Sequence, residues 1–206
     1  MRRLATGMRS SSRPWGDMKR PSRRGKRAQE LEPLSLVPNT VLGMTLYFAR
    51  RYKEAIEQLR KTVEMEPNLS WTRCLLGDAY QGQGMYEEAR MEFIAAVNAA
   101  GSRTLSLATL GHGYATSGNR SDALKVLAEL AELQEREYVA PFFMALIYTG
   151  LGEKEQAFAW LDKACEDRSW GLLWLKVDPR LDDLRSDARF STLMERVGLS
   201  PGTGSS

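Results

Sequence analysis

The sequence has few residues that could bind a metal ion or form disulfides. Its 206 residues include two cysteines, Cys74 and Cys165, and one histidine, His112. Two cysteines cannot build the disulfide framework of a small secreted domain. Two such distant thiols and a single imidazole do not form a usual zinc site either. We therefore expect no structural metal and no cofactor.

Long apolar runs are also missing. No stretch approaches 18 consecutive apolar residues, and the arginine-rich N-terminus lacks the apolar core of a signal peptide. These absences predict a cytoplasmic chain without a membrane-spanning segment. A composition that is 43% hydrophobic and 27% charged is nevertheless typical of a folded chain with a core.

The charge is distributed unevenly along the chain. Residues 1–27 contain ten Lys and Arg side chains but only Asp17 as an acidic one, a net charge of +9, whereas the rest of the chain carries −6. Because this segment is rich in glycine, proline and serine and poor in large apolar residues, we expect a disordered basic tail. Such a tail could bind phosphates without sequence preference. Nucleic-acid association is therefore the alternative function, although the segment has no aromatic interleaving and no recognisable recognition helix.

An internal repeat of 34 residues dominates the remaining sequence. Each copy has apolar residues at helical spacing on both sides of a turn position, which predicts two antiparallel helices. A small residue in the second helix of each copy allows close packing. The register aligns the pairs Leu42-Gly43, Leu76-Gly77, Leu110-Gly111 and Met144-Ala145, the small residues Ala55, Ala89, Ala123 and Ala157, and the turn residues Arg50, Gly84, Gly118 and Gly152.

This pattern resembles the tetratricopeptide repeat (TPR). The resemblance implies an all-α, right-handed α-solenoid of helix-turn-helix repeats with a C-terminal capping segment. The chain departs from the family at Arg50, which replaces the turn glycine, and at the closing proline, which only Pro67 supplies. The predicted organisation is a tail (1–27), a remnant of an earlier repeat (28–35), four repeats (36–69, 70–103, 104–137 and 138–169), capping helices (170–199) and a flexible end (200–206).

The C-terminal part suggests both a cap and a second resemblance. Trp170 and Trp174 are four residues apart, so we expect them on one helical face, covering the last repeat. The segments 120–138, 148–154, 175–179 and 184–190 resemble the terminal repeat block of bacterial multidomain signalling proteins, over about residues 28–199. In those proteins the block follows a winged-helix or a serine/threonine kinase domain. That resemblance implies a bacterial regulatory context only, since the residues of neither domain are present in this sequence.

No catalytic constellation stands out, and we predict that the chain is not an enzyme. The string Gly113–Arg120 has the glycine spacing of a phosphate-binding loop but lacks its lysine and its magnesium-binding hydroxyl. Cys74 and His112 fall on neighbouring first helices and could face the same groove. Nothing near them in sequence would orient the imidazole as a base.

The TPR resemblance implies instead a concave groove lined by the first helices. We expect it to bind an apolar helix or an extended segment of a protein partner, with Trp71 and Phe142 as anchors. Val37 and Leu105 could equally pack between helices. The first helix is apolar and nothing obvious covers it, so it is also a candidate surface for self-association. The predicted groove residues are Thr40, Met44, Tyr47, Trp71, Cys74, Asp78, Gln81, Leu105, His112, Phe142 and Leu146.

Overall fold

A computed structural model describes residues 36–99 and 101–199 of the chain. The predicted basic tail (1–27), the predicted repeat remnant (28–35) and the predicted flexible end (200–206) lie outside the described residues. All regular elements in the described part are helical. Four helix pairs follow one another: α1 (Leu36–Phe48) and α2 (Tyr52–Met65), α3 (Ser70–Gly82) and α4 (Tyr86–Asn98), α5 (Arg103–Thr116) and α6 (Arg120–Leu133), and α7 (Pro141–Gly150) and α8 (Lys154–Glu166).

The pairs stack as a solenoid, which confirms the predicted fold class. Within each pair the two helices pack against each other, and each first helix also packs against the first helix of the next pair. Three pairs lie inside the predicted repeat windows, and the α5–α6 pair begins at Arg103, the last residue of the preceding window. The first helices α1, α3, α5 and α7 therefore form one continuous layer, and the second helices form another.

Small residues allow the two helices of a pair to approach closely. A Cβ atom at Gly77 would overlap the Phe93 ring, and a Cβ atom at Gly43 would overlap the Leu59 side chain. Ala89 on α4 is buried in the same contact layer. The aligned glycines and alanines are thus explained by packing between helices.

The turn between the helices of a pair requires a left-handed residue. Gly84, Gly118 and Gly152 have φ angles of +76°, +84° and +75°, which glycine adopts without a Cβ penalty. Arg50 occupies the equivalent position after α1 and has φ 58° despite its side chain. The departure from the repeat pattern at Arg50 therefore changes the residue and keeps the backbone conformation.

After α8 the chain forms two 3₁₀ helices and one α-helix. The 3₁₀ helices cover Trp170–Trp174 and Pro179–Leu184, and α9 covers Ala188–Arg196. Helix α9 packs against α8 and buries Phe190 and Leu193, so it covers the last repeat as a cap. Residues 170–185, which we call the return segment, instead run back over the first helices.

The expectation that Trp170 and Trp174 cover the last repeat together was wrong. The Trp174 ring stacks on Phe48 of the first pair, with centroids 5.0 Å apart. Trp170 meets Phe143 edge-on at 6.0 Å and stays 50% exposed. A 3₁₀ helix has three residues per turn, so residues four apart differ by about 120° in direction and cannot share a face.

Candidate functional site

The predicted groove residues all lie on the first helices, but the structure buries most of them. Tyr47, Asp78 and His112 are among the buried residues, whereas Met44, Trp71, Gln81 and Leu105 are partly buried. Two further residues pack between neighbouring first helices. The Thr40 hydroxyl lies 3.0 Å from that of Thr72, and Cys74 accepts a hydrogen bond from Thr109. A role in partner binding stays a prediction for the whole set.

The return segment accounts for part of this burial. Near α7 it brings Gly171 so close to Phe142 that a Cβ atom there would overlap the ring. Near α1 it stacks Trp174 on Phe48, and the carboxylate of Asp182 accepts hydrogen bonds of 2.6 and 2.8 Å from the Arg50 guanidinium. We call the face of the first helices on which the return segment lies the groove. The return segment therefore crosses the groove from the fourth repeat to the first.

A buried ionic cluster holds the middle of the return segment against α3. Arg180 donates from Nε and Nη2 to Asp178 at 3.0 and 2.7 Å, and from Nη1 to Asp78 at 3.3 Å. The exposed fraction of the side chain is 13% for Arg180, 0% for Asp178 and 3% for Asp78. Asp178 also accepts the Arg180 backbone N–H and begins the second 3₁₀ helix. Because Arg180 bonds mainly to Asp178, its contact with Asp78 is the weaker one.

Asp78 is therefore only partly compensated. One of its carboxylate oxygens, Oδ1, is buried and accepts no hydrogen bond from any described residue. Burial raises the pKa of Asp78 to about 7, since the opposing attraction of Arg180 is smaller than the cost of removing the charge from water. The nearby Asp178 raises it further.

His112 and Tyr47 adjoin this cluster, and burial keeps both neutral. Burial lowers the pKa of His112 to about 3, and the charge of Arg180 acts in the same direction. Burial also raises the pKa of Tyr47 well above its ordinary value, with further increases from Asp78 and Asp178. The imidazole Nδ1 lies 3.3 Å from the amide nitrogen of Gln81, which also donates to Thr116. His112 is thus held as a neutral polar group.

The return segment leaves part of the groove open beside this cluster. A cavity of about 230 Å³ lies between α1, α3, α5 and the second 3₁₀ helix. Its wall combines aromatic rings with carboxylates, and Arg180 and His112 also contribute. The rings belong to Tyr47, Tyr52 and Tyr86, and the carboxylates to Asp78, Asp182 and Asp183.

Cys74 and His112 are not brought together as a nucleophile and base. The Cys74 thiol interacts with Thr109 and Ser106, and its burial raises its pKa to about 11. A neutral buried thiol is a poor nucleophile. Within residues 36–99 and 101–199 there is also no group of three or more His, Cys, Asp or Glu side chains placed to hold a metal ion. None of the described helices is both long and apolar enough to span a membrane.

Sequence reasoning missed the residues that fill the groove. Trp174, Asp178, Arg180 and Asp182 were expected in a cap, and Arg50 was read only as a departure from the turn glycine. Charged residues interspersed with leucines directly after the apolar stretch 170–175 were a usable signal, because a buried charge needs a partner. The partners themselves lie about a hundred residues or more away in sequence.

Comparisons with known proteins give one family match. The tetratricopeptide repeat profile matches residues 72–102 and 142–166. No curated protein sequence matches this chain. Among solved structures, the chain is similar to YrrB, described as a TPR protein with an unusual peptide-binding site, with 17% identity, a TM-score of 0.48 and coverage of 87% of this chain and 93% of YrrB.

A second solved structure is a tetratricopeptide repeat protein from Parabacteroides merdae ATCC 43184. It has 16% identity, a TM-score of 0.48 and coverage of 84% of this chain and 70% of the other. The two segments that match the tetratricopeptide repeat profile lie on the second and fourth helix pairs. Residues 72–102 and 142–166 therefore resemble the tetratricopeptide repeat both in sequence and in their place on stacked helix pairs.

Proposed function

We propose that this chain is a protein-interaction module that binds an extended segment of a partner protein in the groove. TPR repeats generally serve as non-catalytic scaffolds for protein partners, which supports this class of function. The observation that carries the proposal is the return segment. The groove already holds a peptide segment through a stacked aromatic pair and a buried ionic cluster, so its shape and chemistry suit peptide binding.

The open cavity indicates where a partner would enter. The return segment covers the groove near Phe142 and Phe48, and the cavity lies between those contacts. A partner segment is therefore expected to run beside the return segment and to place side chains in the cavity. The anchoring role predicted for Phe142 is weakened, because Gly171 already packs on that ring.

Selection from a random peptide library displayed on phage tests this proposal with the full chain as bait. Thr116→Trp places a bulky ring at the cavity wall. The control Met91→Trp places the same ring on the outer helix α4, at a residue that is 66% exposed. We expect enriched peptides that bind the wild type and Met91→Trp equally but bind Thr116→Trp at least tenfold more weakly. Peptides that bind all three proteins equally would contradict binding in the groove. Thermal unfolding followed by circular dichroism serves as the control that tests whether both variants are folded.

Three further predictions lie outside this site. The nucleic-acid alternative depends on residues 1–27, which lie outside the described residues, and the regulatory context depends on the second resemblance alone. Self-association through α1 also stays a prediction. Leu46, Tyr47 and Phe48 are buried within the chain, whereas Val37 and Val41 remain exposed. Sedimentation at tens of micromolar tests self-association, and a purely monomeric protein would contradict it.

A further inference from the structure

The cavity has enough room for a side chain of a partner. Its volume of about 230 Å³ is more than ten times the roughly 10–15 Å³ that one water molecule requires on this measure. It also opens on the groove, where the proposed function places the partner segment. An inserted side chain would therefore lie beside Asp78, which is among the residues that line the cavity.

The electrostatics of the cavity favour a positively charged hydrogen-bond donor. The buried cluster beside it carries a net negative charge, because Asp78 and Asp178 share a single guanidinium, that of Arg180. Asp183 adds a carboxylate to the wall, whereas Asp182 is already paired with Arg50 and Arg185. Arg180 bonds mainly to Asp178 and reaches only Oδ2 of Asp78, through Nη1 at 3.3 Å. A buried acceptor without a donor costs about 1–3 kcal/mol, so a ligand that donates to Asp78 Oδ1 removes this cost.

The aromatic part of the wall favours a guanidinium over an ammonium group. The rings of Tyr47 and Tyr52 lie 5.9 Å apart at 49° to each other, and Tyr86 completes the aromatic side. Guanidinium groups stack on such rings and present several donors in one plane, and they are less strongly hydrated than ammonium groups. A carboxylate beside tyrosine rings is therefore suited to arginine.

From this geometry we propose that the cavity binds an arginine side chain of the partner peptide, whose guanidinium donates to Asp78 and lies against the tyrosine rings. The proposal rests on the proposed function, because it assumes that the ligand is a peptide segment in the groove. Arginine would then be the residue of the partner peptide that the cavity recognises. The return segment supplies one wall of the site, so the chain uses its own C-terminal part to shape its specificity.

Titration of the full chain with Nα-acetyl-arginine amide tests the proposal directly. Its uncharged counterpart, Nα-acetyl-citrulline amide, has nearly the same shape and serves as the matched probe. Binding is followed through the backbone amide resonances of Gly82 and Thr116, which line the cavity. We expect the arginine derivative to shift these resonances with a millimolar Kd and the citrulline derivative to bind at least tenfold more weakly. Equal binding of the two probes, or no binding of the arginine derivative, would overturn the proposal.

A pair of isosteric variants locates the binding. Asp78→Asn removes the charge inside the cavity, and Asp122→Asn removes one on the exposed surface of α6, where Asp122 pairs with Lys125. Arginine binding should fall at least tenfold in Asp78→Asn and stay unchanged in Asp122→Asn. An unchanged affinity in a folded Asp78→Asn variant would overturn the assigned contact. If Asp78→Asn does not fold, the comparison of the two probes on the wild type still decides.

The library selection separates this inference from the proposed function. Groove peptides enriched in arginine at one fixed position support both. Groove peptides without such enrichment overturn this inference and leave the proposed function intact. Failure to select any peptide that depends on the cavity would overturn the proposed function and, with it, the peptide part of this inference.

Discussion

The first and second helices of each pair differ sharply in how much of their surface is buried. Helix α3 buries nine of its 13 residues, whereas α4 buries three of 13. Helix α7 buries eight of ten, and its partner α8 four of 13. The second helices have one covered face, as expected of an outer layer. The first helices are covered on two sides, by their partner helices and neighbours and by the return segment.

This difference changes the meaning of the groove. A groove open along its whole length would bind a partner through a broad apolar surface. Here the return segment occupies the ends of that surface, and the remaining opening is small, polar and acidic. Specificity is therefore expected to depend on a few side chains around the cavity.

The largest expected effect is on stability, from breaking the ionic cluster that attaches the return segment to α3. Arg180→Leu leaves the carboxylates of Asp178 and Asp78 buried without their cation. Removing one partner of a buried ion pair costs about 3–5 kcal/mol, and we expect a loss of this size in the free energy of unfolding measured with urea. The control Arg196→Leu breaks only an exposed pair with Asp162, which is worth about 0–1 kcal/mol. Equal losses of unfolding free energy in the two variants would contradict the claim that the buried cluster stabilises the fold more than an exposed ion pair does.

The next effect tests the contact between the return segment and the first repeat. Trp174→Ala removes the ring that stacks on Phe48. Trp174 is only partly buried, so we expect a loss of about 2 kcal/mol, below the 3–5 kcal/mol of a fully buried ring. Amide hydrogen exchange in α1 should also become faster. Leu173→Ala, at a 53% exposed neighbour, should change stability by less than about 0.5 kcal/mol, and protection of α1 that survives in Trp174→Ala would contradict the prediction.

The pH dependence of stability separates the two titratable residues of the site. In the folded chain His112 stays neutral down to about pH 3, although its ordinary pKa is 6.5. Folding therefore opposes its protonation, and stability decreases as the pH falls below about 6.5. Asp78 behaves oppositely, because its folded pKa of about 7 exceeds its ordinary value of 3.8, so its contribution to stability increases as the pH falls from about 7 to 4. The other charged groups nearby are Arg180 and Asp178.

In the wild type these two contributions nearly cancel between about pH 4 and 6.5. Asp78→Asn removes the contribution of Asp78 and leaves that of His112. The free energy of unfolding should then fall with decreasing pH by up to about 1.4 kcal/mol per pH unit relative to the wild type. His112→Asn leaves only the contribution of Asp78, so its free energy of unfolding should rise with decreasing pH relative to the wild type. Urea unfolding at a series of pH values measures both. Parallel curves for the wild type and both variants would show that neither residue has a shifted pKa.

The smallest effect concerns Arg50, the left-handed turn residue that pairs with Asp182. Arg50→Ala loses the ion pair and keeps the unfavourable φ of 58°, so we expect a loss of up to about 1 kcal/mol. Arg50→Gly loses the same pair but relieves backbone strain worth about 1–2 kcal/mol. The two changes oppose each other, and the glycine variant should lie within about 1 kcal/mol of the wild type in thermal or urea unfolding. A glycine variant less stable than the alanine variant would contradict this explanation.

Much of the fold was predictable because it follows from local sequence. The spacing of Gly77 and Ala89, and of their equivalents in the other copies, reflects packing inside one helix pair. The glycines after the first helices reflect a backbone requirement of a single turn. The predicted groove residues came from the TPR resemblance, which assigns positions on the first helices that the repeat register then locates, and their role in binding stays a prediction. Their burial was harder to predict, although α7 has no charged residue and a helix that is apolar on all sides is expected to be buried.

The repeat period by itself determined the helix pairs, their turns and their stacking, because each of these depends on residues within about 34 positions of one another. Only the tertiary structure decided that residues 170–185 return across the groove. That path depends on contacts such as those of Trp174 with Phe48, Arg180 with Asp78 and Asp182 with Arg50, whose partners are more than 100 residues apart. No sequence period links such residues, since they meet only after the solenoid has brought its two ends within reach of one segment.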